Sequence, residues 1–193
     1  MFFRLYSTFS SIGARGCFLS HLGALKEAAR SGARSVLLLE DDVDFSTDFT
    51  TRWPAIAKQL AIHDWDVFYG AWLQLDQPLT GQGLLVLPPA VSVMGAHMVA
   101  IRGPAINEAL TYLNAMLTRP AGDPQGGPMH VDGAYGWYRA AHPERVTLFQ
   151  SVPLAHQRSS RTDIHALRWF DRWAGVRSLA QLARRTRARW LRR

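Results

Sequence analysis

Apolar positions along this chain alternate between a spacing of three to four and short unbroken runs, the mark of helices interleaved with buried strands. Residues 17–29 have helical apolar spacing and end at Ser31-Gly32, a helix-stopping pair. Residues 35–40 follow as a strand, and Val36-Leu37-Leu38-Leu39 has the composition of a fully buried, central, parallel strand. Residues 47–62 predict a helix capped by Ser46 or Thr47. Pro54 sits awkwardly inside it, unless the helix starts near Trp53 with the proline in its first turn. Further strands are expected at residues 66–70, 84–87, 97–101 and 146–149. Pro104 opens a helix to about residue 117, and residues 131–141 form another. Between these two, residues 118–128 hold three prolines and three glycines, a loop and a candidate lid. No internal repeat is visible. The pattern predicts a three-layer α/β arrangement with a mixed sheet.

Composition narrows the class. The chain has 193 residues, 48% of them hydrophobic, enough for one sizeable core. Its one cysteine, Cys17, excludes an internal disulfide and any multi-cysteine metal cluster, and suits a reducing compartment. No apolar stretch approaches the roughly 18 to 20 residues of a membrane span. The opening Met1-Phe2-Phe3-Arg4-Leu5-Tyr6-Ser7 is too short and interrupted for a secretory signal. A soluble cytoplasmic protein is the expectation.

The net charge of +7 is concentrated rather than spread. Residues 1–164 are close to neutral, whereas residues 165–193 carry nine arginines against the single Asp171. The chain therefore divides into a body, residues 1–164, and an Arg-rich amphipathic tail, residues 165–193. Trp169, Phe170, Trp173, Val176, Leu179 and Leu182 recur there at roughly helical spacing among the arginines. Three readings fit. The tail binds an anionic membrane surface, packs its apolar face on the body, or binds nucleic acid; the last is the least favoured.

The candidate chemistry lies in Glu40-Asp41-Asp42-Val43-Asp44, immediately after the aliphatic run. Ligands in open α/β sheets bind outside the carboxyl ends of strands. Crowded carboxylates repel unless a cation or donors compensate, and a hard divalent ion would do so. The plainer reading is a solvated strand end whose aspartates cap the next helix. Several specific acid motifs fail. A calcium loop starting at Asp42 would have Thr47 where glycine is needed and Trp53 where glutamate is needed. An aspartyl-phosphate phosphatase needs a phosphate-holding lysine and a later acidic pair. Only Lys26 and Lys58 are available, and no such pair follows Asp44. No G-x-S-x-G elbow, P-loop or dinucleotide glycine fingerprint is present.

The combination of Gly16-Cys17-Phe18-Leu19-Ser20-His21-Leu22 with Leu37-Leu38-Leu39-Glu40-Asp41-Asp42-Val43 resembles glycosyltransferase family 25. These are bacterial lipopolysaccharide and lipooligosaccharide sugar transferases, related to the collagen galactosyltransferases. Trp65 to Gly70, Gly95 to Ala105, His130-Val131-Asp132 and Pro153 to Gln157 are similar to later elements of the family, so the resemblance spans about residues 12–165.

The resemblance implies a GT-A-like α/β/α sandwich with a mixed, mainly parallel sheet. It also implies transfer of a hexose from a UDP-sugar to a glycan or lipid-linked acceptor, assisted by Mn²⁺ or Mg²⁺. Asp42 and Asp44 would take the metal, with Asp44 alternatively a helix cap; Glu40 and Asp41, with Ser20 and His21, would take the donor. The Ser20-His21 pair would equally brace neighbouring loops. Inverting transfer needs a general base, and Asp132 matches the family's later aspartate; its alternative role is to cap the helix near Gly133. His156 is a candidate contact to the metal or its ligands, with a structural role as the alternative, and His97 replaces a frequent aromatic.

Family members usually carry a further N-terminal βα segment that is not matched here, so an N-terminally shortened fold is expected. The alternative is a truncated, non-catalytic module held at the inner face of the plasma membrane.

Overall fold

The computed structural model describes residues 9–158. In chain order its elements are α1 (Ile12–Arg30), β1 (Ser35–Leu39), β2 (Val43–Phe45), α2 (Phe49–Ile62), β3 (Val67–Ala71), β4 (Gln74–Leu75), β5 (Leu84–Val86), β6 (Val93–Met94), β7 (Met98–Arg102), α3 (Ala105–Thr118), α4 (Val131–Ala141), β8 (Thr147–Gln150) and β9 (Ala155–Gln157). The Arg-rich tail, the opening residues and the boundary at residue 164 lie outside the described residues.

Helix α1 begins at Ile12, ahead of the expected start at residue 17, because Ser11 caps it, its Oγ accepting the Ala14 N–H at 3.0 Å. Helix α2 begins at Phe49 and keeps Pro54 inside, so the start near Trp53 is not adopted. Pro104 stands at the cap of α3. Helix α4 covers residues 131–141 as the periodicity predicts.

Five strands form the main sheet in the order β1-β7-β3-β8-β5. The protein is mixed α/β with a mixed sheet, as expected. "Mainly parallel" requires correction: among the described residues only β3 and β8 pair in parallel, and the other three ladders of this sheet are antiparallel. Alternation on the strands sorts two cores. Val67, Tyr69, Val99 and Ile101 face α1, α3 and α4 in a cluster with Phe18, Leu25, Ile106, Leu113 and Tyr135. Phe68, Met98, Ala100 and Leu148 face the other way, against Ile56 and Leu60 of α2. Helical residues thus pack against both faces of the sheet. A side chain such as Phe18, wholly buried, contributes about 2–3 kcal/mol of apolar burial.

The aliphatic strand is not central. Among the described residues β1 pairs only with β7, antiparallel, and stands at the sheet edge. Leu38 turns into the larger core, while Leu37 and Leu39 on the other face are 45% and 46% exposed. Four aliphatic residues in a row look alike in sequence, but the helix covering their second face does not reach them.

Two pairings bring distant segments to the end of β1. Short strand β2 pairs antiparallel with β9, setting Val43, Asp44 and Phe45 opposite Gln157, His156 and Ala155. The Glu40 N–H donates to the His97 carbonyl at 3.2 Å. No helix among the described residues is long and apolar enough to cross a membrane.

Candidate functional site

The chain reverses between α1 and β1, so the first turns of α1 lie against the carboxyl end of β1. Cys17 and His21, one helical turn apart, share a face and both reach Glu40. The Cys17 thiol donates to Glu40 Oε1 at 3.6 Å, and His21 Nε2 stands 3.7 Å from the same oxygen. His21 Nδ1 is 3.2 Å from the Tyr135 hydroxyl. The Gln157 amide donates to Glu40 Oε2 at 3.4 Å. Both His21 and Tyr135 are buried.

These contacts set the local electrostatics. Burial, with the charges of Glu40, Asp132 and Asp42, pushes the Cys17 thiol up to about 12. Burial acts to raise the Glu40 carboxyl, but His21, His97 and the Cys17 thiol outweigh it and hold the group below its ordinary value. Asp42 goes the other way: burial and the nearby Glu40 and Asp41 raise it, against an offsetting contact with Gln157. Among the described residues, Asp42 Oδ1 and both ring nitrogens of His97 are buried without a hydrogen-bond partner. Burial lowers the His97 imidazole.

Asp132 lies in the first turn of α4, where a carboxylate complements the helix dipole. The Gly95 N–H donates to its Oδ2 at 2.9 Å, and its Oδ1 accepts from the Gly133 N–H at 2.8 Å. Gly95 has φ of 89°, a left-handed conformation natural to glycine. A Cβ there would also come within 3.1 Å of the Leu73 backbone nitrogen. The turn before β7 is thereby tied to α4 through Asp132.

Asp132 borders two clefts. One, of about 280 Å³, is lined by Cys17, Glu40, Gly95, His130, Asp132 and Gln157, with apolar Leu73 and Met94 among its walls. The other, of about 250 Å³, is lined by Gln74, Asp76, Ser92, Met94, Asp132 and Gly133. Cys17, Glu40 and Asp132, far apart in sequence, thus surround one space.

Other expected site residues fall elsewhere. Ser20 is exposed on α1 and lines neither cleft. Asp41 is exposed as well. Asp42 is half-buried beside the first cleft rather than among its lining residues. Asp44 is taken up by Arg158, whose guanidinium lies 2.8 Å from its Oδ1, and it faces His156 across the β2–β9 ladder. His156 is exposed. The candidate lid also requires correction. Residues 118–128 line neither cleft and are pinned to α3 and one another. The Tyr112 hydroxyl and Arg119 Nη1 both donate to the Gln125 carbonyl, at 2.8 and 2.6 Å. Gly127 packs so tightly on the Pro120 carbonyl that any side chain would collide.

Sequence reasoning missed Cys17 and Gln157 as site residues. The Cys17–His21 interval, four residues on a helix, was the available signal for the first. For Gln157 the sequence offered only its place in the segment Pro153 to Gln157, and the β2–β9 pairing is what brings it to Glu40.

No protein-family model matches the chain, and no curated protein matches it. The fold defines a mixed α/β protein with a mixed sheet and an acid-lined cleft at a strand's carboxyl end.

Proposed function

We propose that the protein is a glycosyltransferase of family 25 type with a GT-A-like fold, moving a hexose from a UDP-sugar to a glycan or lipid-linked acceptor in bacterial cell-surface polysaccharide synthesis. The observation that carries this reading is the position of Asp132 on the shared border of two clefts, one containing Glu40. A base for inverting transfer must touch the acceptor hydroxyl while that oxygen faces the donor's anomeric carbon. A carboxylate between two adjoining spaces, held by two backbone N–H groups, is suited to that task.

Asp42 is the favoured carboxylate for Mn²⁺ or Mg²⁺, because its buried Oδ1 has no hydrogen-bond partner among the described residues. Such an ion, when bound, would offset charge developing on the departing diphosphate. Asp44 drops out of this ligand set, its charge being matched by Arg158. Glu40 and Gln157 remain to hold donor hydroxyls. Ser20 and Asp41 have no part in this version of the site, and His21 acts by orienting Glu40. An anionic membrane surface, reached through residues 165–193, is the proposed location of the acceptor.

Calorimetry of the full chain with UDP and Mn²⁺ tests the reading. Metal-dependent heat that weakens about tenfold or more in Asp42→Ala is the expected result. No such heat in the wild type removes the transferase and leaves a non-catalytic module. Liposome sedimentation with and without residues 184–193 tests the membrane element separately.

A further inference from the structure

Cys17, His21 and Glu40 present a sulfur, a ring nitrogen and a carboxylate oxygen within 4.8 Å of one another. We propose that these three side chains bind a transition-metal dication of the Zn²⁺ class, with a fourth position open to the cleft. This site shares Glu40 and His21 with the proposed donor pocket, but it requires neither sugar transfer nor the ion assigned to Asp42.

Geometry is the first support. A tetrahedral zinc with ordinary bond lengths has S···O and N···O edges of about 3.5 and 3.3 Å. The corresponding separations to Glu40 Oε1 are 3.6 and 3.7 Å, and all three donor atoms lie within 4.8 Å of one another, so side-chain shifts of about an ångström or less bring the three to bonding distance. Orientation is the second. A histidine ligand is usually fixed by a hydrogen bond at its other ring nitrogen. Tyr135 occupies that position on His21 at 3.2 Å and leaves Nε2 directed at Glu40.

Access is the third support. Cys17 and Glu40 line the 280 Å³ cleft, so water or a substrate atom has room to complete the shell, as in zinc sites that keep an open position. Donor chemistry then selects the ion. Thiolate with imidazole favours Zn²⁺ or Co²⁺, whereas Mg²⁺ and Ca²⁺ prefer all-oxygen shells. Without metal, the thiol proton bridges to Glu40. On binding, that proton leaves to solvent, the sulfur lone pair goes to the metal, and His21 binds as neutral imidazole with its Nδ1–H toward Tyr135. No electron is transferred.

The chain's single cysteine makes the test specific. The untagged, metal-free 193-residue chain is titrated with Co²⁺, and thiolate-to-cobalt charge transfer is followed in the near ultraviolet. One equivalent per chain is expected, with the band abolished in Cys17→Ser and displaced by Zn²⁺. His21→Gln and Glu40→Gln should weaken binding at least about tenfold, and Tyr135→Phe by a smaller factor. Zinc-edge X-ray absorption on the wild type needs no variant and should show one sulfur at about 2.3 Å with lighter ligands.

Cobalt bound without a charge-transfer band, saturation at half an equivalent, or a zinc shell without sulfur would each overturn the site. Manganese-dependent UDP binding that survives such a result leaves the transferase reading standing. A cobalt–thiolate band without UDP binding does the reverse.

Discussion

Arg139 and Glu40 are both charged side chains drawn out of water, and their surroundings differ. Arg139 is 1% exposed on α4. Its Nε donates to Thr147 Oγ1 at 3.1 Å, Nη1 to the Val91 carbonyl at 3.0 Å, and Nη2 to the Pro88 carbonyl at 2.7 Å. Each bond ties α4 to the strand β8 or to the segment before β6. Around Glu40, by contrast, a weak thiol donor, a histidine at 3.7 Å and a long amide contact share one carboxylate. Asp42 Oδ1 and both His97 nitrogens nearby have no hydrogen-bond partner among the described residues. A satisfied buried charge holds a fold together; a cluster of under-satisfied groups at a cleft costs stability, and such sites are where ligands bind.

The largest expected contrast is in Cys17 reactivity. Near pH 8, a thiol raised to about 12 holds roughly a thousandfold less thiolate than an ordinary one. Iodoacetamide should therefore label the metal-free folded protein roughly 10²- to 10³-fold more slowly than the urea-unfolded chain, with Glu40→Gln recovering part of the rate. The sign for stability follows. Because the folded thiol keeps a proton that the unfolded chain releases, stability falls as pH rises from 9.0 toward about 12. Equal labelling of the two states would erase the distinctive character of the cluster.

Arg139→Met should destabilise by about 3 kcal/mol, more than a hundredfold in the folding equilibrium, since buried carbonyls lose their donors. Urea denaturation reads this directly, and a loss below about 1 kcal/mol would contradict the structural role. Asp132→Asn keeps a carbonyl oxygen for the Gly95 N–H and gives up only the acceptor for the Gly133 N–H, so the fold should persist while the proposed transfer from a UDP-hexose drops about a hundredfold or more. An unchanged rate in that variant removes Asp132 as the base. The smallest effect belongs to a surface network, in which Arg145 Nε donates to Glu108 at 2.8 Å and Nη1 stands 3.5 Å from Asp66. Glu108→Gln should cost about 1 kcal/mol in thermal melts, shrinking with added salt.

Most elements were legible because their signals are local. The 3.6-residue period of residues 131–141 and the proline before α3 act within a few residues, and both helices form where those signals lie. The order of strands was not legible, because it depends on which apolar faces meet. Val36 to Leu39 reads as a buried central strand, yet β1 stands at the edge with two leucines half-exposed. Residues 118–128 have the composition of a mobile lid, but contacts with Tyr112 and Arg119 on α3 and just beyond it hold them away from the cleft. Nothing local announces that Arg139 is buried.

The sequence by itself determined that four acids follow an aliphatic strand and that Cys17 and His21 share a helix face, because side-chain direction repeats with the backbone. Tertiary structure alone decided which acids matter to the cleft. Packing of α1 on β1 brings Cys17 and His21 to Glu40, the β2–β9 pairing occupies Asp44 with Arg158 and delivers Gln157, and the turn at Gly95 aligns Asp132. These groups lie tens of residues apart in the chain, and only the burial of two apolar faces on one sheet makes them neighbours.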